Sequence, residues 1–203
     1  MRLDIHVHTS PGSRCSELSV CSYLQAAARL ELDVICLTNH GEIADFEEMV
    51  SRAADDLTII AGVEISSKVG DFLVFSKDLD FLRTLAAEQP LPGRIERPAH
   101  TAVVWAHPFA GNVGGLDAAE RYIRDMAAEV DGIEVYNGNW PDNNVSALAH
   151  RIASEYGLAE LGGSDAHRQE NLMRCWTEFE TEIKNAADLI AAILKRNTVA
   201  AKL

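Results

Sequence analysis

Five of the seven histidines of this 203-residue chain stand in short polar motifs that each close an apolar run. The first is His6-Val7-His8. Residues two apart on a strand project to one face, so both imidazoles can reach a single cation. Alone, an H-x-H pair more often marks two exposed histidines, and its weight here comes from repetition. Thr38-Asn39-His40, Gly62-Val63-Glu64, Trp105-Ala106-His107-Pro108 and Gly163-Ser164-Asp165-Ala166-His167 all follow the same rule. In barrel and doubly wound α/β folds, the carboxyl ends of the strands are where ligands and catalytic groups converge. Imidazole mixed with carboxylate favours Zn, Mn or Fe over the all-oxygen shells of Ca or Mg. His100, after a Pro-rich loop, and His150, within a helical pattern, read as surface or packing residues.

These motifs need elements to carry them. Apolar runs predict strands at Arg2 to Val7, Asp33 to Thr38, Thr58 to Ile65, Phe72 to Phe75, Ala102 to Ala106, Gly132 to Tyr136, Ala159 to Gly162 and Thr177 to Glu180. Helical spacing falls between them at Leu18 to Leu30, Ile43 to Ala54, Leu79 to Glu88, Ala118 to Val130, Val145 to Tyr156 and Ala186 to Lys195. The alternation is that of an α/β fold with largely parallel strands. Loops are expected at Ser10 to Ser16, Gln89 to Pro98, Pro108 to Gly115 and Gly138 to Asn144. None has the length or bias of a linker, so residues 1–203 are expected to form one domain.

Composition narrows the classes further. Hydrophobic residues make up 47% and charged residues 24%, as in ordinary globular proteins. The formal net charge of -13 argues against a basic nucleic-acid surface, although bound cations would offset part of it near an anionic substrate. No apolar run is long enough to span a membrane. Cys15, Cys21, Cys36 and Cys175 form no C-x-x-C pair and Met1-Arg2-Leu3-Asp4 is no secretory leader, so reduced thiols and a cytoplasmic location are expected. Gly111-Asn112-Val113-Gly114-Gly115 lacks the Lys-Ser/Thr of a P-loop and reads as a loop at the pocket rim.

Asp4-x-His6-x-His8-Thr9, Leu37-Thr38-x-His40, Gly62-Val63-Glu64, Ala106-His107-Pro108 and Gly163-Ser164-Asp165-Ala166-His167 together resemble the polymerase and histidinol phosphatase (PHP) superfamily. The resemblance runs from the first strand to His167. It implies a distorted (β/α)7 barrel with two or three divalent metal ions that hydrolyses phosphoesters. It further implies that His6, His8, Glu64 and Asp165 hold one metal, that Glu64 and His107 serve the second, and that His40 and His167 serve the third.

The chain departs from that pattern in places. The family ligand that follows H-x-H is taken as Glu17, with Cys15 as the alternative. Asp71 falls where a histidine commonly opens the next strand, and it reads equally as a ligand or as a turn residue. Asn39 replaces an Asp and is expected to orient a ligand through a hydrogen bond. Glu134, in Ile133-Glu134-Val135-Tyr136-Asn137, matches a recurrent family segment but is left outside the metal shell.

The expected reaction is in-line attack on phosphorus by a water activated between metals. Asp165, His40 and His167 are the candidate catalytic residues, with His167 or His40 free to protonate the leaving group. Arg14 and Arg168 are the nearest candidates for substrate phosphate. The expected partner is a small phosphorylated metabolite or nucleotide, with nucleic acid expected at most as a short oligonucleotide. Two other readings are an amidohydrolase-like hydrolase of amide or lactone bonds, which lacks its usual strand-end Lys here, and a non-catalytic PHP module in a nucleic-acid-processing complex.

Overall fold

The computed structural model describes residues 1–41, 43–110 and 120–203. The expected rim segment Gly111 to Gly115 and the expected helix start at Ala118 lie outside the described residues.

Among the described residues, nine strands alternate in part with six helices. In chain order they are β1 (Arg2–Leu3), α1 (Val20–Arg29), β2 (Val34–Leu37), α2 (Ala44–Arg52), β3 (Thr58–Ser67), β4 (Gly70–Ser76), α3 (Leu79–Glu88), β5 (Thr101–Ala106), α4 (Glu120–Ala127), β6 (Gly132–Asn137), α5 (Asn143–Tyr156), β7 (Ala159–Gly163), β8 (Cys175–Phe179), α6 (Ala186–Lys195) and β9 (Thr198–Lys202). One sheet runs β2-β3-β4-β5-β6-β7, and a second runs β1-β8-β9. Strand β9 was not expected, because Val199-Ala200-Ala201 is too short and too weakly alternating to signal a strand before its pairing with β8 is seen.

The expectation of largely parallel strands requires correction, and of the expected distorted (β/α)7 barrel the structure shows a curled six-stranded half-barrel. Pairs β2–β3, β5–β6 and β6–β7 are parallel, but β4 is antiparallel to both of its neighbours. The reversal is local. β3 and β4 are joined by a tight turn at Ser67 to Gly70, where Gly70 takes φ +120°, a conformation open to glycine and costly for other residues. No helix fits in such a hairpin.

Only Arg2–Leu3 of the expected first strand pairs regularly, and it does so with β8. Beyond it the chain stays extended enough to touch both margins of the six-stranded sheet. Thr38 N–H donates to the Val7 carbonyl next to β2, and His8 N–H donates to the Ala166 carbonyl after β7. The H-x-H motif is thereby wedged between the first and last strands of the curled sheet, opposite Glu64 on β3.

Period-two alternation divides the strand residues between two cores. Phe72, Val74, Val103, Trp105, Ile133 and Val135 face outward under α3, α4 and α5. Ile60, Leu73, Phe75, Ala102, Val104 and Leu161 face inward, where Leu189, Ile190 and Ile193 of α6 meet them. Helix α6 is fixed by its cap: Asn185 Oδ1 accepts from the N–H groups of Ala187 and Asp188. The concave side is thus filled with apolar side chains at one end, which leaves the other end to polar groups. Glu64 shares the inward parity of Ile60 and Gly62, and Glu134 that of Gly132. Among the described residues, no helix is long and apolar enough to cross a membrane.

Candidate metal centre

His6, His8 and Glu64 are almost fully buried, at 0%, 0% and 1% exposure. Their donor atoms face one another. His6 Nε2 lies 3.1 Å from His8 Nε2, and Glu64 Oε2 lies 3.3 Å from the first and 3.1 Å from the second. Asp165 Oδ1 completes this group, 3.6 Å from His6 Nε2 and 3.2 Å from His8 Nε2.

Glu64 also serves the neighbouring positions. Its Oε2 stands 3.2 Å from His40 Nε2, and its Oε1 stands 3.0 Å from His107 Nε2. Asp71 Oδ2 approaches His107 Nε2 to 3.8 Å from the far side. His8, His40 and His167 make a third set, each offering a ring nitrogen within 4.8 Å of the others. The His8 ring stacks on His40 at 4.6 Å and lies against His167 at 4.5 Å.

Hydrogen bonds behind the rings fix which nitrogen is free. A carboxylate only accepts, so His6 Nδ1–H donates to Glu134 Oε1 at 3.0 Å. Ser13 Oγ gives its one proton to Asn39 Oδ1, which is held as an acceptor by Thr9 N–H. Ser13 must therefore accept from His8 Nδ1–H, 3.1 Å away. Both Nε2 atoms are left with lone pairs turned toward each other and toward two carboxylates.

That arrangement fits a cation. Two nitrogens bound to one ion at about 2.1 Å sit roughly 3 Å apart, as these do. Without a cation the site must bind protons instead. Burial opposes charge on His6, yet Glu134, Glu64 and Asp165 outweigh it and raise its pKa well above the ordinary value. Burial likewise opposes charge on His107, and Glu64 still lifts it to about 9. Burial works against ionised Asp165, but His6 and His8 pull its pKa down to about 2. His40 is different: burial dominates the attraction of Glu64 and lowers it to about 4, leaving a neutral ring.

Local backbone geometry aims two of these side chains. After inward-facing Ala106, simple alternation would turn the next residue outward. His107 instead adopts φ +24°, and its N–H donates to Glu134 Oε2 at 2.7 Å. Asp165 takes φ +51°. Non-glycine residues in this region cost free energy and persist where the surroundings dictate them. Asp4, buried beneath, accepts from the N–H groups of His6, Ser164 and Met173 and so ties the first motif to the last.

The fold therefore brings together eight of the residues singled out in the sequence: His6, His8, His40, Glu64, Asp71, His107, Asp165 and His167. Glu17 is not among them. Its side chain is 67% exposed and forms a two-pronged ion pair with Arg168, at 2.6 and 3.0 Å. Burying either charge would cost more than this surface pair returns. Cys15 points the other way, its Sγ 3.1 Å from His167 Nε2. Arg168 is engaged by Glu17, whereas Arg14 is exposed with no ion pair among the described residues. Ser13 was missed by sequence reading, since one serine in a Ser-rich loop carries no signal. Glu134 was noticed but not given its double role toward His6 and His107.

Residues 146–198 match the family model described as PHP-associated. Solved structures share the fold across the chain. PsfC of Pseudomonas syringae superposes with a TM-score of 0.73 at 21% identity, covering 100% of this chain and 91% of that one. A two-domain protein of Bacteroides vulgatus containing a predicted PHP-like metal-dependent phosphoesterase gives 0.75 at 20% identity, covering 100% of this chain and 64% of that one. The lesion-specific endonuclease PfuEndoQ of Pyrococcus furiosus gives 0.69 at 17% identity, covering 96% of this chain and 56% of that one. No curated protein matches the chain in sequence. The matched segment is similar to the PHP-associated model, and the chain shares its mixed α/β fold with PHP-like proteins of solved structure.

Proposed function

We propose that this protein is a metal-dependent phosphoesterase that hydrolyses a small phosphorylated substrate. The observation that carries the reading is the convergence of four histidines on the two oxygens of one buried carboxylate, Glu64, with Oε2 facing His6, His8 and His40 and Oε1 facing His107. A carboxylate so placed can be shared between adjacent cations. His6, His8, Glu64 and Asp165 would hold one, Glu64, Asp71 and His107 a second, and His8 or His40 with His167 a third. Zn, Mn or Fe suits this donor set.

Divalent cations in such a site supply an activated water and neutralise charge on phosphoryl oxygens. The chain's own groups do the rest. Glu134 and Ser13 keep the Nδ1 protons of His6 and His8 in place, so that Nε2 of each is the donor presented to the site. Burial of these rings excludes bulk water from that side. His40 is held neutral and half-buried at the rim, with Nε2 turned to Glu64 Oε2. Arg14, exposed and without an ion pair among the described residues, is the candidate to meet a substrate anion.

The test is metal analysis of protein purified without chelator, followed by assay on phosphate mono- and diesters beside amides and lactones. Bound Mn, Fe or Zn with ester hydrolysis is expected. Turnover of amides or lactones alone would assign the chain to amidohydrolase-like chemistry. Metal content below one ion per chain, with no turnover after metal addition, would leave a non-catalytic module.

A further inference from the structure

Two cavities flank the metal centre, and one tryptophan separates them. The larger, of about 420 Å³, shares His107 and Glu134 with the centre and is walled by Pro108, Phe109, Trp140 and Val145. The smaller, of about 220 Å³, reaches Asp71 and is bounded by His107, Phe109 and Trp140. The larger has the size of small-ligand sites.

Its chemistry says which part of a substrate it can take. Among the described lining residues there is no Lys or Arg, and the ionisable groups other than His107 are Glu134 and Asp142. An anion is unwelcome there. A phosphate would sit on the cations at Glu64 and His107, and the cavity would receive the uncharged remainder of the molecule.

Trp140 gives that remainder a shape. It is 49% exposed despite being the largest side-chain type, and its ring lies 6.3 Å from the ring of His107. An exposed indole beside a buried site is an unused stacking face. Its position is set by the metal-ligand network itself. Trp140 N–H and Asn139 N–H both donate to Asn137 Oδ1. Asn137 Nδ2 donates to Glu134 Oε2, and the same carboxylate orients His6 and His107. The backbone at Trp140 and the two histidines are thus linked through two side chains, Asn137 and Glu134.

We propose that Trp140 is the floor of a leaving-group subsite that selects phosphate esters carrying a planar aromatic group, either a simple aryl ring or a nucleobase. The inference rests on the phosphoesterase reading above. It deepens that reading by naming the substrate class.

The experiment compares the wild-type chain, Trp140→Ala and Trp140→Phe, each loaded with Mn2+. Binding of benzylphosphonate and ethylphosphonate is measured by calorimetry, and turnover of phenyl phosphate, adenosine 5'-monophosphate and ethyl phosphate by phosphate release. The wild type should prefer benzylphosphonate to ethylphosphonate, and at least one of the two aromatic esters to ethyl phosphate, by about tenfold or more, as stacking on one aromatic face provides. Trp140→Ala should lose that preference, through KM rather than kcat, and Trp140→Phe should keep most of it. Preference for phenyl phosphate alone or for the nucleotide alone identifies the aromatic source. Equal binding of both phosphonates by the wild type, or preference unchanged in Trp140→Ala, would overturn the subsite. Selective binding without any turnover would sink the phosphoesterase reading and leave the subsite standing.

Discussion

The carboxylate of Glu134 stands 3.0 Å from Nδ1 of His6, with both side chains buried. This contact decides which ring nitrogen of His6 faces Glu64 and Asp165. The same carboxylate receives the N–H of His107, so one residue at the edge of the histidine–carboxylate cluster orients two within it. Carboxylate–histidine pairs of this kind raise ligand basicity and lock the tautomer.

Glu134→Gln keeps the shape but can present an amide N–H to His6, which permits the wrong tautomer. Metal affinity should fall by about 10–100-fold with the chain still folded. Competition against a chelator of known affinity measures it, and an affinity within twofold of wild type would show that Glu134 is a packing residue.

His8→Ala and Asp165→Ala remove groups that stand between neighbouring ligand sets. Each should lower the metal content and bring ester hydrolysis to background, because the sets overlap and the loss of one donor disturbs its neighbours. Elemental analysis and phosphate release are the readouts. Retained turnover in either variant contradicts the assignment.

Metal binding should depend on pH through His107. Its pKa in the metal-free protein is about 9, against an ordinary 6.5. A raised pKa means that protonation favours the fold: this contribution is fully present below about pH 6.5 and is lost as pH rises through about 9. A cation needs the neutral ring. Affinity should therefore climb toward pH 9, by up to about tenfold per pH unit for each proton displaced, with the raised His6 and His8 adding to His107. His40, already lowered to about 4, adds nothing to the slope in that range. A flat affinity between pH 7 and 9 would contradict the prediction.

Glu17→Ala and Cys15→Ser separate the two candidates for the ligand after H-x-H. Glu17→Ala should leave metal stoichiometry unchanged, since its carboxylate is spent on Arg168. Cys15→Ser should alter the near-ultraviolet spectrum of the Co2+-loaded protein, because Sγ adjoins His167 Nε2. The reverse pattern would return the role to Glu17.

Gly163→Ala tests the packing behind the site. A Cβ there would fall 2.4 Å from Glu134 Oε1 and 2.5 Å from His6 Cβ. Neither neighbour can retreat without breaking their hydrogen bond. A loss of about 1–3 kcal/mol in stability is expected, with weaker metal binding. A denaturation midpoint equal to wild type would show that the site yields more easily than its geometry indicates.

Much of this was legible in the chain itself. Ligand types placed at the ends of apolar runs singled out His6, His8, His40, Glu64, His107, Asp165 and His167, which the fold brings together, because strand parity and strand-end position are properties of local sequence. The same periodicity located the helices and most strands. Three matters were decided only by the tertiary structure, since each depends on what lies across space. Whether Glu17 or Cys15 faces the cluster turned on Arg168, 151 residues away. The direction of β4 turned on a hairpin whose apolar pattern is the same for either orientation. The free nitrogens of His6 and His8 turned on Glu134 and Ser13. Sequence spacing fixes which face a side chain occupies along its own strand. Hydrogen-bond partners, and the burial that gives them force, exist only once distant segments are packed together.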